Sequence, residues 1–179
     1  MLKRRSVRSF KDSSLTLAEV SQLLWAAQGI TSPRGLRTAP SAGALYPLEI
    51  YVLAGNVDGL PDGVYHYRPA RHQLVRVVKG DRRSELYEAA LIQTSVRNAP
   101  AVLVFAAVYE RTTMKYGDRG VQYVHMETGH SAQNVFLQAV PLNLDAVVIG
   151  SFYDDMVRKV LKMSDSEQPL YIIPVGRMK

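Results

Sequence analysis

Leu17, Val20, Leu24 and Ala27 recur at the spacing of one helix face, with Leu23 beside them. That pattern predicts an amphipathic helix whose apolar stripe faces a core. Its start is marked too: Thr16-Leu17-Ala18-Glu19 has the spacing of a capping box, in which the Thr hydroxyl and the Glu carboxylate each take up a free backbone N–H. Gly29 stands where a left-handed C-cap residue belongs, and Trp25 is expected at the edge of the buried face. A longer helical pattern runs from Gln122 to Leu142, with Val124, Ala132, Val135, Phe136, Ala139 and Val140 spread around much of its circumference. A helix apolar over so wide an arc is buried or shared with a partner. Shorter helical patterns cover Ser84–Leu91 and Asp154–Leu161.

Between them lie runs with the character of strands. Glu49–Leu53, Asp145–Ile149 and Leu170–Val175 are strand-like, and Ala101–Val108 is an unbroken apolar run after Pro100, the pattern of a central strand covered on both faces. Val64–Tyr67 and Gln73–Val78 flank Arg68-Pro69-Ala70-Arg71-His72 and read as a hairpin. From Ile30 to Pro47 the periodicity disappears and Gly, Pro, Ser and Thr take over; a loop of that length that returns at once to a strand is expected to be ordered and functional. Helices and strands mix without strict alternation, and no repeat or linker divides residues 1–179. The expected fold is therefore α+β, one domain in which a central sheet is flanked by helices.

Composition narrows the chemistry. Apolar residues make up 47% of the 179 and charged residues 21%, so the chain is of the globular class. Without cysteine it has no disulfide framework, thiolate metal site or thiol nucleophile. No run approaches the ~18 apolar residues of a membrane span, and the N-terminus lacks the apolar core of a signal peptide; a cytoplasmic location is the expectation. A net charge of +6 points to nucleic acid, an anionic surface or a phosphorylated small molecule. Outside the termini, however, the basic residues are scattered among acidic ones rather than interleaved with aromatics, which argues against nucleic acid and membrane. His66, His72, His125 and His130 fall at no metal-binding spacing. Walker, dinucleotide-binding and nucleophile-elbow motifs are absent from the sequence.

Two segments hold candidate chemistry. Lys3-Arg4-Arg5-Ser6-Val7-Arg8 combines cations with a small hydroxyl, a mix that suits a phosphate. Pro40-Ser41-Ala42-Gly43-Ala44-Leu45-Tyr46-Pro47 offers small residues that let a flat ligand approach the backbone. On composition alone, a solvated basic terminus and a tight loop before a strand account for them as well.

Together these segments resemble the nitroreductase family of FMN-dependent oxidoreductases, in particular its branch of SagB-type dehydrogenases and thiazole- and oxazole-forming peptide oxidases. Arg4-Arg5-Ser6-Val7-Arg8-Ser9-Phe10 is similar to the family's N-terminal segment, Pro40–Pro47 to the branch's Pro-Ser-Ala-Gly-x-x-Tyr-Pro loop, and Gly63–Tyr67 to its Gly-Val-Tyr-x-Tyr strand. Tyr123–Asn134 resembles the long-helix signature, and Gly150-Ser151-Phe152 and Pro174-Val175-Gly176-Arg177 stand in the expected last positions. The resemblance implies a nitroreductase-like α+β sandwich with a central mixed sheet, a domain-crossing homodimer and FMN sites shared across the interface. It assigns the FMN phosphate and ribityl chain to Arg4, Arg5, Ser6, Arg8 and Arg177, contact with the other subunit's flavin to Pro40, Ser41, Ala42, Gly43 and Ala44, and the reactive edge of the ring to Gly150 and Ser151. Lys115-Tyr116 resembles the Lys-Tyr pair that removes a proton in azoline-oxidising members, a role that suits a partly desolvated lysine. A donor of the NAD(P)H type and a small nitroaromatic, unsaturated or azoline-like substrate complete the implied reaction. The alternative class is a binding module without turnover, for flavin or for an acidic partner.

The chain departs from the family pattern at Ala139-Val140-Pro141-Leu142-Asn143-Leu144. Pro141 predicts an early end to the long helix, with Asn143 supplying the left-handed turn that Gly usually makes.

Overall fold

The computed structural model describes residues 2–179; Met1 lies outside the described residues. β1 (Leu15–Thr16) leads directly into α1 (Leu17–Gln28), and both halves of the capping box form. The Glu19 N–H donates to Thr16 Oγ1 at 3.2 Å and the Thr16 N–H to Glu19 Oε2 at 2.8 Å. Gly29 departs from the expected left-handed cap, since its backbone is extended at φ −61° and ψ 145°. Space, not handedness, requires glycine there: a Cβ would lie 2.4 Å from Trp25 Cδ1.

After the long loop come β2 (Leu48–Ala54), the short β3 (Val57–Asp58) and the hairpin of β4 (Gly63–Arg68) and β5 (Gln73–Lys79). The hairpin closes through a 3₁₀ turn at Pro69–Arg71, with His72 left-handed at φ 45°. Then follow α2 (Arg83–Ala89), α3 (Thr94–Asn98), β6 (Ala101–Ala107), α4 (Glu110–Tyr116), α5 (Arg119–Ala139), β7 (Asp145–Ala146), α6 (Asp154–Leu161) and β8 (Gln168–Gly176). α5 stops where Pro141 predicts: a 3₁₀ turn spans Val140–Leu142, and Asn143 is left-handed at φ 54°.

The strands form one sheet in the order β5-β4-β2-β6-β8-β7, with every neighbouring pair antiparallel. Parallel pairing enters through β1 with β3 and through the bridge from Ser6 to Ala146 at the β7 edge, which makes the arrangement mixed. β6 is central, and all seven of its residues are buried. Its side chains alternate: Leu103 and Phe105 pack toward α1 and α5, while Val102 and Val104 pack toward α2, α3 and α6. Helices thus cover both faces, the expected α+β sandwich. The strand expected over Asp145–Ile149 is regular only at its first two residues and rejoins β8 through the single bridge Ile149–Ile172. Val147 donates to the carbonyl of Pro174, which has no N–H to donate in return. No helix among the described residues is long and apolar enough to cross a membrane.

Candidate functional site

The two basic ends lie side by side. The Lys11 N–H donates to the Arg177 carbonyl at 2.7 Å, the Lys179 N–H reaches the Ser9 carbonyl at 3.4 Å, and Phe10 bridges Met178. Gly176 makes room for this crossing, since a Cβ there would press within 3.0 Å of the Phe10 ring. One step earlier, Ser6 bridges Ala146, and the Val7 N–H donates to the Ala146 carbonyl at 3.0 Å. Arg4 lies over the Phe136 ring of α5 at 5.3 Å. Arg5 folds back onto the carbonyls of Leu2 and Arg4, while Arg8 is exposed. Arg177 is already engaged: it donates to the Ser14 carbonyl at 2.8 Å and to Glu19 Oε1 at 2.5 Å, which ties the C-terminus to the α1 capping box. It still lines, with Lys3, Lys11, Asn143 and Asp145, a cavity of about 360 Å³. Gly150 and Ser151 are exposed where the chain leaves Ile149, and the Ser151 carbonyl faces Gln93 Nε2 at 3.4 Å.

The second group gathers elsewhere on α5. Gly43, at φ 63°, brings its backbone so close to α4 that a Cβ would lie 2.8 Å from the Tyr116 hydroxyl and 3.0 Å from Lys115 Nζ. The Lys115 ammonium sits 5.3 Å over the Tyr116 ring, whose edge meets Tyr123 of α5 at 5.2 Å. The predicted proton-handling pair and the predicted flavin loop, 72 residues apart in sequence, therefore share one surface. Pro40, Ser41 and Ala42 line a cavity of about 250 Å³ with Tyr123, Met126, Glu127 and His130. The loop is braced from inside as the Ser41 hydroxyl accepts the Tyr46 N–H at 2.9 Å.

Sequence reasoning missed the buried polar residues behind this loop. Arg37 lies 4.4 Å over the Tyr46 ring and donates to Gln28 Oε1 at 2.8 Å. Burial pulls its guanidinium below the ordinary value, offset in part by Glu49 and Glu127. Glu127 is only 2% exposed, and its Oε1 has no hydrogen-bond partner, as is true of Gln28 Nε2 and Arg37 Nε. Burial pushes the Glu127 carboxyl up to about 7, and Ser41, Arg37 and Gln28 offset only part of that. The sequence did carry a signal: Val124, Glu127, Ser131 and Val135 fall on one helical stripe, so an acid interrupts a buried face. A second, partly buried acid lies across the loop base. Glu49 pairs with His66 at 2.6 Å and Arg111 at 2.5 Å, and Arg111 also holds the Tyr46 carbonyl. Glu49, His66 and Glu167 place possible ligand atoms within 4.8 Å of one another, but Glu167 accepts from Tyr51 at 2.9 Å and Glu49 is spent on His66 and Arg111.

The residues present fit a flavin nucleotide: cations and the exposed Ser6 for a phosphate, an exposed Gly150-Ser151 for a ring edge, and a small-residue loop for close backbone approach. Within the chain the two groups stay apart. Phe136 under Arg4 and Glu127 behind Ser41 are nine residues apart on α5, or roughly 13 Å along a helix.

Comparison with known proteins identifies the family. Residues 1–177 match the description "Nitroreductase family". The chain is 54% identical over 177 residues to the candidate nitroreductase MJ1384 of Methanocaldococcus jannaschii, covering 99% of this chain and 88% of that protein. It is 31% identical over 158 residues to the microcin B17-processing protein McbC of Escherichia coli, covering 84% of this chain but only 58% of McbC. A crystal structure of a candidate nitroreductase from Anabaena variabilis superimposes with a TM-score of 0.87 at 33% identity, over 99% of this chain and 37% of the larger one. On the family match and the archaeal relative together, the chain belongs to the nitroreductase family.

Proposed function

We propose that the chain is an FMN-dependent oxidoreductase of the cytoplasm that works as a homodimer, with its flavin reduced by NAD(P)H and reoxidised by a small nitroaromatic, unsaturated or azoline-like substrate. The observation that carries this reading is the crossing of residues 9–11 with 177–179, which gathers Lys3, Lys11 and Arg177 around one cavity beside the Arg4–Arg8 segment. A dianionic phosphate is the natural ligand of such a convergence. FMN, when bound, supplies the hydride- and electron-transfer chemistry.

This chain's residues would do the rest. Arg4, Arg5, Ser6, Arg8 and Arg177 hold the phosphate end, and Gly150 and Ser151 leave space at the ring edge. Pro40, Ser41, Ala42, Gly43 and Ala44 close on the partner's flavin, which accounts for the separation of the two groups within one protomer. Lys115 takes the substrate proton with Tyr116 as its partner, and the left-handed Gly43 leaves both side chains room. The resemblance of Lys115-Tyr116 to the pair of azoline-oxidising members, beside the identity to a microcin-processing protein, favours an azoline-like substrate within the proposed classes.

An absorbance spectrum of the purified protein, followed by anaerobic addition of NADPH, tests the reading. Expected are flavin bands that bleach on reduction and return with acceptor. Protein that takes up no flavin even after incubation with FMN would falsify it. Flavin that binds but is never reduced favours the module without turnover.

A further inference from the structure

Glu127 has a place in the site that the reaction above does not use. Its carboxyl is buried to 2% exposure, yet it lines the cavity whose opposite wall is Pro40, Ser41 and Ala42, and its Oε1 is without a partner there. Buried polar atoms are paired as a rule, and those left unpaired concentrate where a structure does work. Ser41, the polar side chain of the loop that faces Glu127, is also the residue that holds the Tyr46 N–H and so fixes the loop's curvature.

Resting on the flavin reading, we propose that Glu127 is the positioning residue of the Pro40–Ala44 loop, and that flavin binding beneath this loop takes up a proton onto Glu127. The reason is desolvation. Any flat ligand seated against Pro40–Ala42 covers the mouth of the cavity and removes the remaining water from the carboxyl, which favours its neutral form. A group already poised near neutrality responds to such a change at physiological pH. The charged and titratable neighbours are few. Arg37 and Ser41 face it from the loop, Tyr123 and His130 share its own helix and line the cavity, Lys115 and Tyr116 of α4 stand on the far side of Gly43, and α1 offers the neutral Gln28. Arg37 is the single cation that acts on Glu127 directly, and it is divided between Gln28, the Tyr46 ring and the field of Glu49.

The test is flavin affinity against pH, read from FMN fluorescence quenching on flavin-stripped protein at pH 6 and pH 8, in wild type and Glu127→Gln. Between pH 8 and pH 6 wild type is expected to gain about two- to fivefold in FMN affinity relative to the variant, which corresponds to a further rise of about half to one pKa unit on covering, from about 7. The phosphate of FMN titrates near 6 and engages cations as the dianion, so its own contribution has the opposite sign and is common to both proteins. Glu127→Gln is expected to lose the gain at low pH. The same profile in the variant overturns the proposal while leaving the flavin reading intact, whereas no FMN bound by wild type at any pH overturns both. If the variant does not fold, calorimetry of wild type at pH 7.5 in buffers of different ionisation enthalpy decides, because the phosphate then has little proton left to release. Net proton uptake supports the proposal, and zero uptake or release overturns it.

Discussion

Two acids, Glu127 buried and Glu49 partly so, flank the same loop and could hardly be treated more differently by their surroundings. Burial pushes Glu49 up as well, but hydrogen bonds from His66 and Arg111 outweigh it and hold the carboxyl below its ordinary value. At Glu127 the opposing effects of Ser41, Arg37 and Gln28 are too weak to offset burial, and the carboxyl is pushed up to about 7. A carboxylate that is fully paired in a low dielectric fixes its partners in place: Glu49 locks β2 to β4 through His66 and to α4 through Arg111, which in turn holds the Tyr46 carbonyl. A carboxyl left half-paired holds its neighbours less firmly, and its protonation changes with what covers it. One acid builds the frame, and the other is left to respond.

The contrast is broken most forcefully at Glu49. Glu49→Ala leaves His66 and Arg111 without their acid, and removing one member of a buried pair costs about 3–5 kcal/mol. Because the Arg111 side chain is 42% exposed, solvent makes up part of the loss, and about 3 kcal/mol is expected, read as a lower urea midpoint at unchanged m-value. A loss under about 1 kcal/mol would put Glu49 in the same class as Glu127 and dissolve the comparison.

Glu127→Gln moves stability the other way, and only at the right pH. The folded carboxyl titrates near 7, above its ordinary value of 4.5. The folded state therefore binds more protons than the unfolded one between those values, and the stability from neutral Glu127 is complete below about 4.5 and lost as pH rises through about 7. An amide has no such loss. At pH 8 the variant should exceed wild type by about 2 kcal/mol, less than the full linkage because its own hydrogen bonds are incomplete; at pH 5 the two should unfold alike. Glu49 has the opposite sign: its contribution is present above its unfolded value and lost as pH falls through the lower folded one. Urea unfolding of both variants at the two pH values would therefore give crossed responses, and parallel ones would refute the assignment.

Much of the frame was legible in sequence because it rests on local rules. The Thr16–Glu19 box, the apolar run of β6, the halt at Pro141 and the left-handed Asn143 all follow from residues within a few positions of one another. α4 was not legible, since Glu110–Tyr116 has no apolar stripe: of its residues only Thr112 is buried, and Arg111 anchors it to Glu49 and to the Tyr46 carbonyl. The candidate site divides in the same way. The Arg-Ser segment and the small-residue loop stand out by composition, and the resemblance supplied their roles. That residues 9–11 cross 177–179, that Arg177 is shared with Glu19, and that Gly43 meets Lys115 and Tyr116 are long-range facts set by the sheet and by α5. Glu127 itself broke a readable pattern, an acid on a buried helical stripe, and such breaks are where local rules give way to function.

The smallest expected change in stability is at the loop that both acids flank. Gly43→Ala must hold a left-handed backbone at φ 63°, which costs about 1 kcal/mol for a residue with a Cβ. The atoms its Cβ would meet, the Tyr116 hydroxyl and Lys115 Nζ, are the far ends of movable side chains, so the fold can yield without unpacking a core. The same yielding displaces both groups from their places against the loop. If the region around Glu127 responds while the frame around Glu49 holds, this substitution should lower the unfolding free energy by no more than about 1 kcal/mol and still reduce turnover tenfold or more. FMN affinity should change by less than about threefold, because the ends proposed to bind the phosphate lie elsewhere on α5. A variant that loses several kcal/mol with its turnover would show that the loop belongs to the frame, and one that keeps full turnover would remove Lys115 and Tyr116 from the chemistry.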